Sequence, residues 1–311
     1  MPQDSLTIWQ PADSTQIQDS IHALIQREIF ENTNPPYDKT YDSYALAVVI
    51  GSIFIVLVTP FIWRWGHKKY KRYVFNKILS EKGNQYHMIL EGGFPYYRKL
   101  SRLKQDVFLE RTIYFILSKR FEYVGIKPDE RMPVLISAAA VQLTFGLQNY
   151  LLDHFKTIYV MERSYHYGLS TQAFEGHVNY DGIYLAWDSF SKQFENYMDG
   201  SNVGLHEMAH ALAYVNFSVD EGLDPAFKHR FYTFSHIARP VFNEIQKSGN
   251  IFLGSYAATN YNEFWAVCIE NFFERPETFK DQLPELYNGL CRLLNQDPLS
   301  KDFILMTVQG E

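Results

Sequence analysis

The sequence predicts an α+β protein: one membrane-crossing helix, then a helical lead-in, a small sheet and a closing set of helices. Three observations carry this. Residues 44–63 run for twenty positions without a charge. Short β-rich runs at 157–160 and 182–187 are separated by Gly and polar turns. From Asn202 onward the apolar residues return to helical spacing. A chain of 311 residues with 46% apolar content holds one sizeable domain or two small ones, and wholesale disorder is excluded. A formal net charge of −6 argues against nucleic acid as a partner, because a binding domain shows a basic face. Cys268 and Cys291 form neither a CxxC pair nor a disulfide framework, so the fold does not depend on them.

Ahead of the apolar run, Ile17, Ile21, Leu24, Ile25 and Phe30 make a partial helical stripe that ends at the turn-forming NTNPPYD of 32–38. The stripe can pack on a bilayer or a partner, or be a marginal helix without a role. The run itself, YALAVVIGSIFIVLVTPFIW, is long enough at 1.5 Å per residue to cross the roughly 30 Å hydrocarbon layer. Tyr41 and Tyr44 at one end, with Trp63 and Trp65 at the other, resemble interfacial aromatic belts. Pro60 falls in the last turn, where one lost backbone bond is tolerable. A buried soluble helix would show a polar stripe, and this run shows none.

Charge gives the orientation. Residues 64–72 carry five Lys or Arg and no acid, whereas residues 1–42 carry seven acids against Arg27 and Lys39. The positive-inside rule places the C-terminal flank in the cytoplasm. The expected organisation is a short extracytoplasmic segment (1–43), a transmembrane helix (44–63), a basic collar (64–74) and a large domain (75–305). That is a single-pass protein of the cell inner membrane, with the bilayer as partner through residues 44–63 and the large domain facing the cytoplasm.

Within the large domain, residues 73–125 read as mainly helical, through Leu109, Ile113, Ile116, Leu117 and Phe121, with Gly92, Gly93 and Pro95 as a loop. Met132–Leu147 is apolar on nearly all sides and reads as a buried helix. The strand at 182–187 is expected to be the edge on which an extended peptide pairs.

His206-Glu207-Met208-Ala209-His210 matches HExxH. Two histidines four apart lie one above the other on a helix, so both imidazoles reach one zinc ion. Glu207, the next residue round, stands beside the metal's open position, where it can deprotonate an activated water. Asp199, Ser201 and Asn202 offer caps for this helix. The motif alone also suits an amphipathic helix with two merely hydrogen-bonded histidines. A third ligand must lie elsewhere, since ALAYVNF follows and not xxGxxH. His229, His236, Glu221, Asp224, Glu244, Glu263 and Glu270 are the candidates, and chemistry alone does not choose among them. Glu263 stands out because it opens an apolar helix, NEFWAVCIENFF, where a carboxylate needs a cation or donors. Glu270, seven residues on, shares that face and can orient a ligand histidine or be an ordinary capped acid. Cys268 lies off that face and reads as packing.

The stretches VLISAAAVQLTFGL, GIYLAWDSF, NVGLHEMAHAL, SYAATNYNEFWAVCIENFFERPETF and LCRLLNQDPL resemble, in order, the Mlc titration factor family of metallopeptidases. The catalytic domain of that family is similar to that of anthrax lethal factor. The resemblance covers roughly residues 75–300. It implies a zincin-like metallopeptidase domain holding one Zn2+ per chain through His206, His210 and Glu263, with Glu207 as general base. It also implies Tyr256 of SYAATN as a donor to the oxyanion. A peptide or protein substrate is implied with it. The family is named for sequestering a transcriptional repressor, so the alternative is a membrane-tethered module that binds a transcriptional regulator, with zinc structural or vestigial. The prototype implied is soluble and cytoplasmic, and this chain departs from it by its membrane anchor.

Overall fold

The computed structural model describes residues 14–33, 39–166, 173–193, 197–219, 224–248 and 252–300. The chain divides into two units, Met1–Tyr70 and Lys71–Glu311.

The first unit contains helix α1 (Ser14–Thr33) and the beginning of α2 (Lys39–Gly93). On α1 the apolar stripe of Ile17, Ile21, Leu24, Ile25 and Phe30 is exposed. The surrounding turn at 34–38 lies outside the described residues. Helix α2 carries the uncharged run and is long and apolar enough to cross a membrane, with none of its apolar window buried in the chain. Ser52 and Thr59 return their hydroxyls to the carbonyls of Val48 (2.7 Å) and Ile55 (2.6 Å). Both hydroxyls are thus satisfied within the helix itself.

In the second unit α2 continues to Gly93, one residue before α3 (Pro95–Lys99), so the expected loop is only a break at Phe94. Helix α4 (Arg102–Ser118) ends sooner than the helical reading of 73–125 had it, and Arg120–Val124 is strand β1. The sequence RFEYV is β-branched and aromatic enough to pair once a neighbouring strand is present. Helix α5 (Arg131–Thr144) forms where the apolar stretch predicts it and is buried at every position from Val134 to Thr144. It packs between α4 and α7. The Arg111 guanidinium closes its C-terminal end, donating to the carbonyls of Phe145 (2.8 Å) and Leu147 (3.1 Å).

Strands β2 (Thr157–Met161), β3 (Gly176–Asn179) and β4 (Gly182–Ala186) complete a four-stranded sheet of order β1-β2-β4-β3. β1, β2 and β4 are parallel and β3 is antiparallel to β4. The expected edge strand is therefore interior: β4 is covered on one side by β2 and on the other by β3, and β3 forms the edge. The β3–β4 turn is set by Asn179, whose Oδ1 accepts from the amides of Asp181 (2.9 Å) and Gly182 (3.1 Å). Trp187, read as the end of the strand, instead opens α6 (Trp187–Lys192).

Helix α7 (Val203–Phe217) packs on β3, β4, α5 and α9. Helices α8 (Pro225–Ser248), α9 (Tyr261–Glu274), α10 (Pro276–Gln282) and α11 (Pro284–Leu294) follow, with a 3-10 turn at Tyr256–Ala258. Helix α11 packs on α8, and α10 joins α9 to α11. Cys268 is fully buried in α9, as a packing residue should be. The expected domain end at 305 and the tail after 300 fall outside the described residues.

Candidate metal centre

Two asparagine caps place the polar side chains of the site. Asn202 Oδ1 accepts from the Leu205 amide at 2.8 Å and starts α7, so of the three offered caps it is Asn202 that closes the helix. Asn260 Oδ1 accepts from the amides of Asn262 (2.9 Å) and Glu263 (3.1 Å) and starts α9. Helix α7 then presents His206 and His210 on one face, and α9 presents Glu263 in its first turn. The two helices are tied by the Trp265 indole, which donates to the Ala209 carbonyl at 2.9 Å.

The result is a convergence of three donors. His206 Nε2 lies 3.0 Å from Glu263 Oε2 and 3.1 Å from His210 Nε2, and His210 Nε2 lies 3.6 Å from Glu263 Oε2. Tetrahedral bonds of about 2.0–2.1 Å put donors about 3.3 Å apart, and the three separations scatter around that value. All three residues are partly buried. The hydrogen-bond partner of the other His206 nitrogen suits a metal. Glu270 Oε1 is 2.5 Å from His206 Nδ1 and, as a carboxylate, takes a hydrogen bond from it, which leaves the Nε2 lone pair facing the other donors. Two imidazole nitrogens and a carboxylate oxygen at this spacing need a cation among them.

Without a metal the cation is a proton. Burial opposes charge on His206, but hydrogen bonds to Glu263 and Glu270 outweigh it and raise its pKa to about 10. Burial also opposes charge on Glu263, yet its hydrogen bonds to the two histidines hold it well below the usual carboxylate range.

Glu207 is buried, and its Oε2 has no hydrogen-bond partner among the described residues. Burial pushes its pKa up to about 8, against the opposing field of His206. It lies against β3: a Cβ at Gly176 would be 2.5 Å from Glu207 Cγ, so only glycine admits it there. Tyr256 is half-exposed, with its ring 5.9 Å from that of His206. Burial and the neighbouring Glu263 charge push its hydroxyl up to about 12.

Behind the donors lies a network that sequence reasoning missed in part. Glu270 Oε2 accepts from the Asn202 amide at 2.8 Å, and Glu274 Oε1 accepts from the Asn202 side chain at 2.7 Å. Glu274 Oε2 also accepts from the Gly200 amide at 3.1 Å. Both acids are buried in an otherwise apolar helix, and that pairing at four-residue spacing was the available signal. The other candidates among the described residues do not join the cluster. His229, His236 and Glu244 are exposed on α8, and Asp224 caps that helix through the amides of Ala226 and Phe227, both at 3.0 Å. Glu221 lies outside the described residues.

Glu207, His210, Tyr256 and Glu263 open on a cleft of about 840 Å³, lined also by Gly176–Val178 of β3 and by one face of α8.

A family model described as glucose-regulated metallo-peptidase M90 matches residues 67–294, and so covers the cleft and every residue of the cluster. Among curated proteins, Mlc titration factor A from Yersinia pestis (strain Pestoides F) is 30% identical over 125 residues, 38% of this chain and 46% of that protein. Mlc titration factor A from Yersinia pseudotuberculosis serotype O:1b (strain IP 31758) matches to the same extent. The chain thus spans just under half the length of these relatives.

Proposed function

This chain belongs to the glucose-regulated metallo-peptidase M90 family, with Mlc titration factors among its relatives, and on that premise we propose that it is a membrane-anchored, zinc-dependent peptidase with a zincin-like catalytic domain. The observation that carries this is the convergence of His206, His210 and Glu263 at 3.0, 3.1 and 3.6 Å beside a Glu207 oxygen that has no hydrogen-bond partner among the described residues.

His206, His210 and Glu263 hold one zinc ion per chain, and Glu270 fixes the His206 tautomer. Bound there, zinc supplies Lewis acidity, polarising a peptide carbonyl and acidifying water. Glu207 takes the proton of the attacking water on its free Oε2 and passes it to the leaving amine. Tyr256, at the cleft mouth, donates its hydroxyl to the oxyanion of the tetrahedral intermediate. Trp265 and the Asn202–Glu270–Glu274 network keep the donors in register.

Residues 44–63 anchor the protein as a single span, with 1–43 outside, 64–74 as the basic collar and the domain from 75 in the cytoplasm at the inner membrane. Retention of the full chain in membranes after alkaline carbonate extraction supports the anchor; release would remove it.

The test of the activity uses the full chain in detergent. Metal content and hydrolysis of unstructured peptides are compared between wild type and Glu207→Gln. One zinc per chain in both, with hydrolysis only in wild type, is expected. Equal rates, or a zinc-loaded wild type that cleaves no peptide, would sink the reading.

The name of the relatives favours a second reading, a membrane-tethered module that sequesters a regulator of the Mlc kind. Under it, His206→Ala/His210→Ala retains the regulator in a pull-down and Glu207→Gln leaves the biological output unchanged.

A further inference from the structure

The wall that α8 contributes to the cleft has a charge pattern that catalysis does not use. Lys228, Phe231, Tyr232, Ser235 and Arg239 all line the cleft. Their spacing of three, one, three and four puts them on a single helical face. From Lys228 to Arg239 is eleven residues, about 16 Å at 1.5 Å per residue. An extended peptide covers that distance in about five residues.

Both ends of this wall are cationic, in a protein whose formal net charge is −6. Among the described residues, neither Lys228 nor Arg239 has a carboxylate within ion-pairing distance. Arg230, on the same helix, is in contrast engaged with the Leu293 carbonyl at 3.1 Å, as a structural arginine should be. The Arg239 guanidinium is instead held over the Tyr261 ring, 5.0 Å from its centroid, and Tyr261 also lines the cleft. Between the two cations the wall is aromatic. Phe231 meets Phe217, itself 44% exposed in the cleft, with ring centroids 4.6 Å apart. Positive groups without counter-ions on the wall of a cleft concentrate anions there.

We infer that the cleft selects acidic peptide segments: Lys228 and Arg239 each pair with a substrate carboxylate, about five residues apart, and an apolar side chain between them packs on Phe217 and Phe231. The inference rests on the peptidase reading for the chemistry, but the charge selection is a binding property and is measurable without cleavage.

The test uses the full chain in detergent and end-blocked fluorogenic octapeptides with Glu at two positions five apart, beside Gln and Lys counterparts. Cleavage is followed as kcat/KM and binding, separately, by fluorescence anisotropy. Two exposed ion pairs at a few tenths to one kcal/mol each correspond to a preference for Glu over Gln of roughly tenfold. That preference should shrink as salt rises. In Lys228→Glu/Arg239→Glu it should invert toward the Lys peptides with metal content unchanged. Lys228→Ala and Arg239→Ala, each at an exposed site, should each remove part of it. Equal handling of Glu and Gln peptides in both readouts, or a preference untouched by charge reversal, overturns the inference. Cleavage without charge preference leaves the peptidase reading standing alone, whereas Glu-selective binding without cleavage upholds the selection and overturns the peptidase reading.

Discussion

Replacing Gly176 with alanine adds one methyl group to β3 at the point where Glu207 rests on it. The new Cβ would lie 2.5 Å from Glu207 Cγ, 2.7 Å from Oε1 and 2.8 Å from Cδ, where ordinary contact begins near 3.4 Å. The carboxylate must therefore retreat by about 0.9 Å, the difference between the first and last of these distances. Gly176 is not among the glycines of positive φ, so alanine suits the strand, and the three atoms it would crowd most all belong to Glu207. A misplacement of about 1 Å in a proton-transferring group costs about a hundredfold in rate, or roughly 2.7 kcal/mol of transition-state stabilisation. The assay is kcat/KM on an unstructured peptide for wild type and Gly176→Ala, beside metal stoichiometry and melting temperature. Metal stoichiometry should not change, because the three atoms nearest the new methyl all belong to Glu207, whereas the melting temperature should fall modestly, since displacing a buried side chain costs about 1–3 kcal/mol. Hydrolysis within about twofold of wild type would refute the placement of Glu207 as the base.

Three further outcomes are expected. Tyr256→Phe should lower kcat by about 10²–10³-fold with metal affinity unchanged, the effect of losing one oxyanion donor; unchanged kcat would remove Tyr256 from the chemistry. Glu270→Ala should weaken metal binding about 10–100-fold in a chelator competition, because His206 loses the acceptor on Nδ1, and Glu270→Gln should weaken it less. Equal affinity in all three proteins would contradict the tautomer assignment. Burial pushes the Glu274 carboxyl up to about 8, opposed by the Asn202 hydrogen bond and reinforced by the charges of Asp199 and Glu270. A raised carboxyl binds more protons folded than unfolded between about pH 4.5 and 8, so stability falls as pH rises through that window. Glu274→Gln should therefore melt with a flatter pH dependence than wild type across that range, and parallel curves would show that the group does not titrate there.

The HEMAH helix was legible because it rests on local rules: a capping Asn202, apolar spacing, and two histidines one turn apart. Glu263 was legible as an acid at the head of an apolar helix, a conflict eased where His206 and His210 meet it. What sequence could not carry was pairing. RFEYV continues the apolar spacing of α4, and only its partner Thr157–Met161 makes it a strand. GHVN has no strand composition at all, so β3 went unseen and β4 was taken for the edge that β3 covers. The contact between Gly176 and Glu207 spans more than thirty residues and involves a side chain that glycine lacks, which no pattern encodes. The Asn202–Glu274 bond is of the same kind, long in sequence and fixed only when α9 docks on α7.

The indole–carbonyl bond from Trp265 to Ala209 joins the middle of one donor-bearing helix to the first turns of the other. Both residues are buried and belong to the common core, so the two helices are already clamped by packing that no ion contributes to. If the cluster holds the proposed ion, its two helices are braced by contacts independent of it, and removing the metal with a chelator should leave the far-ultraviolet circular dichroism spectrum unchanged.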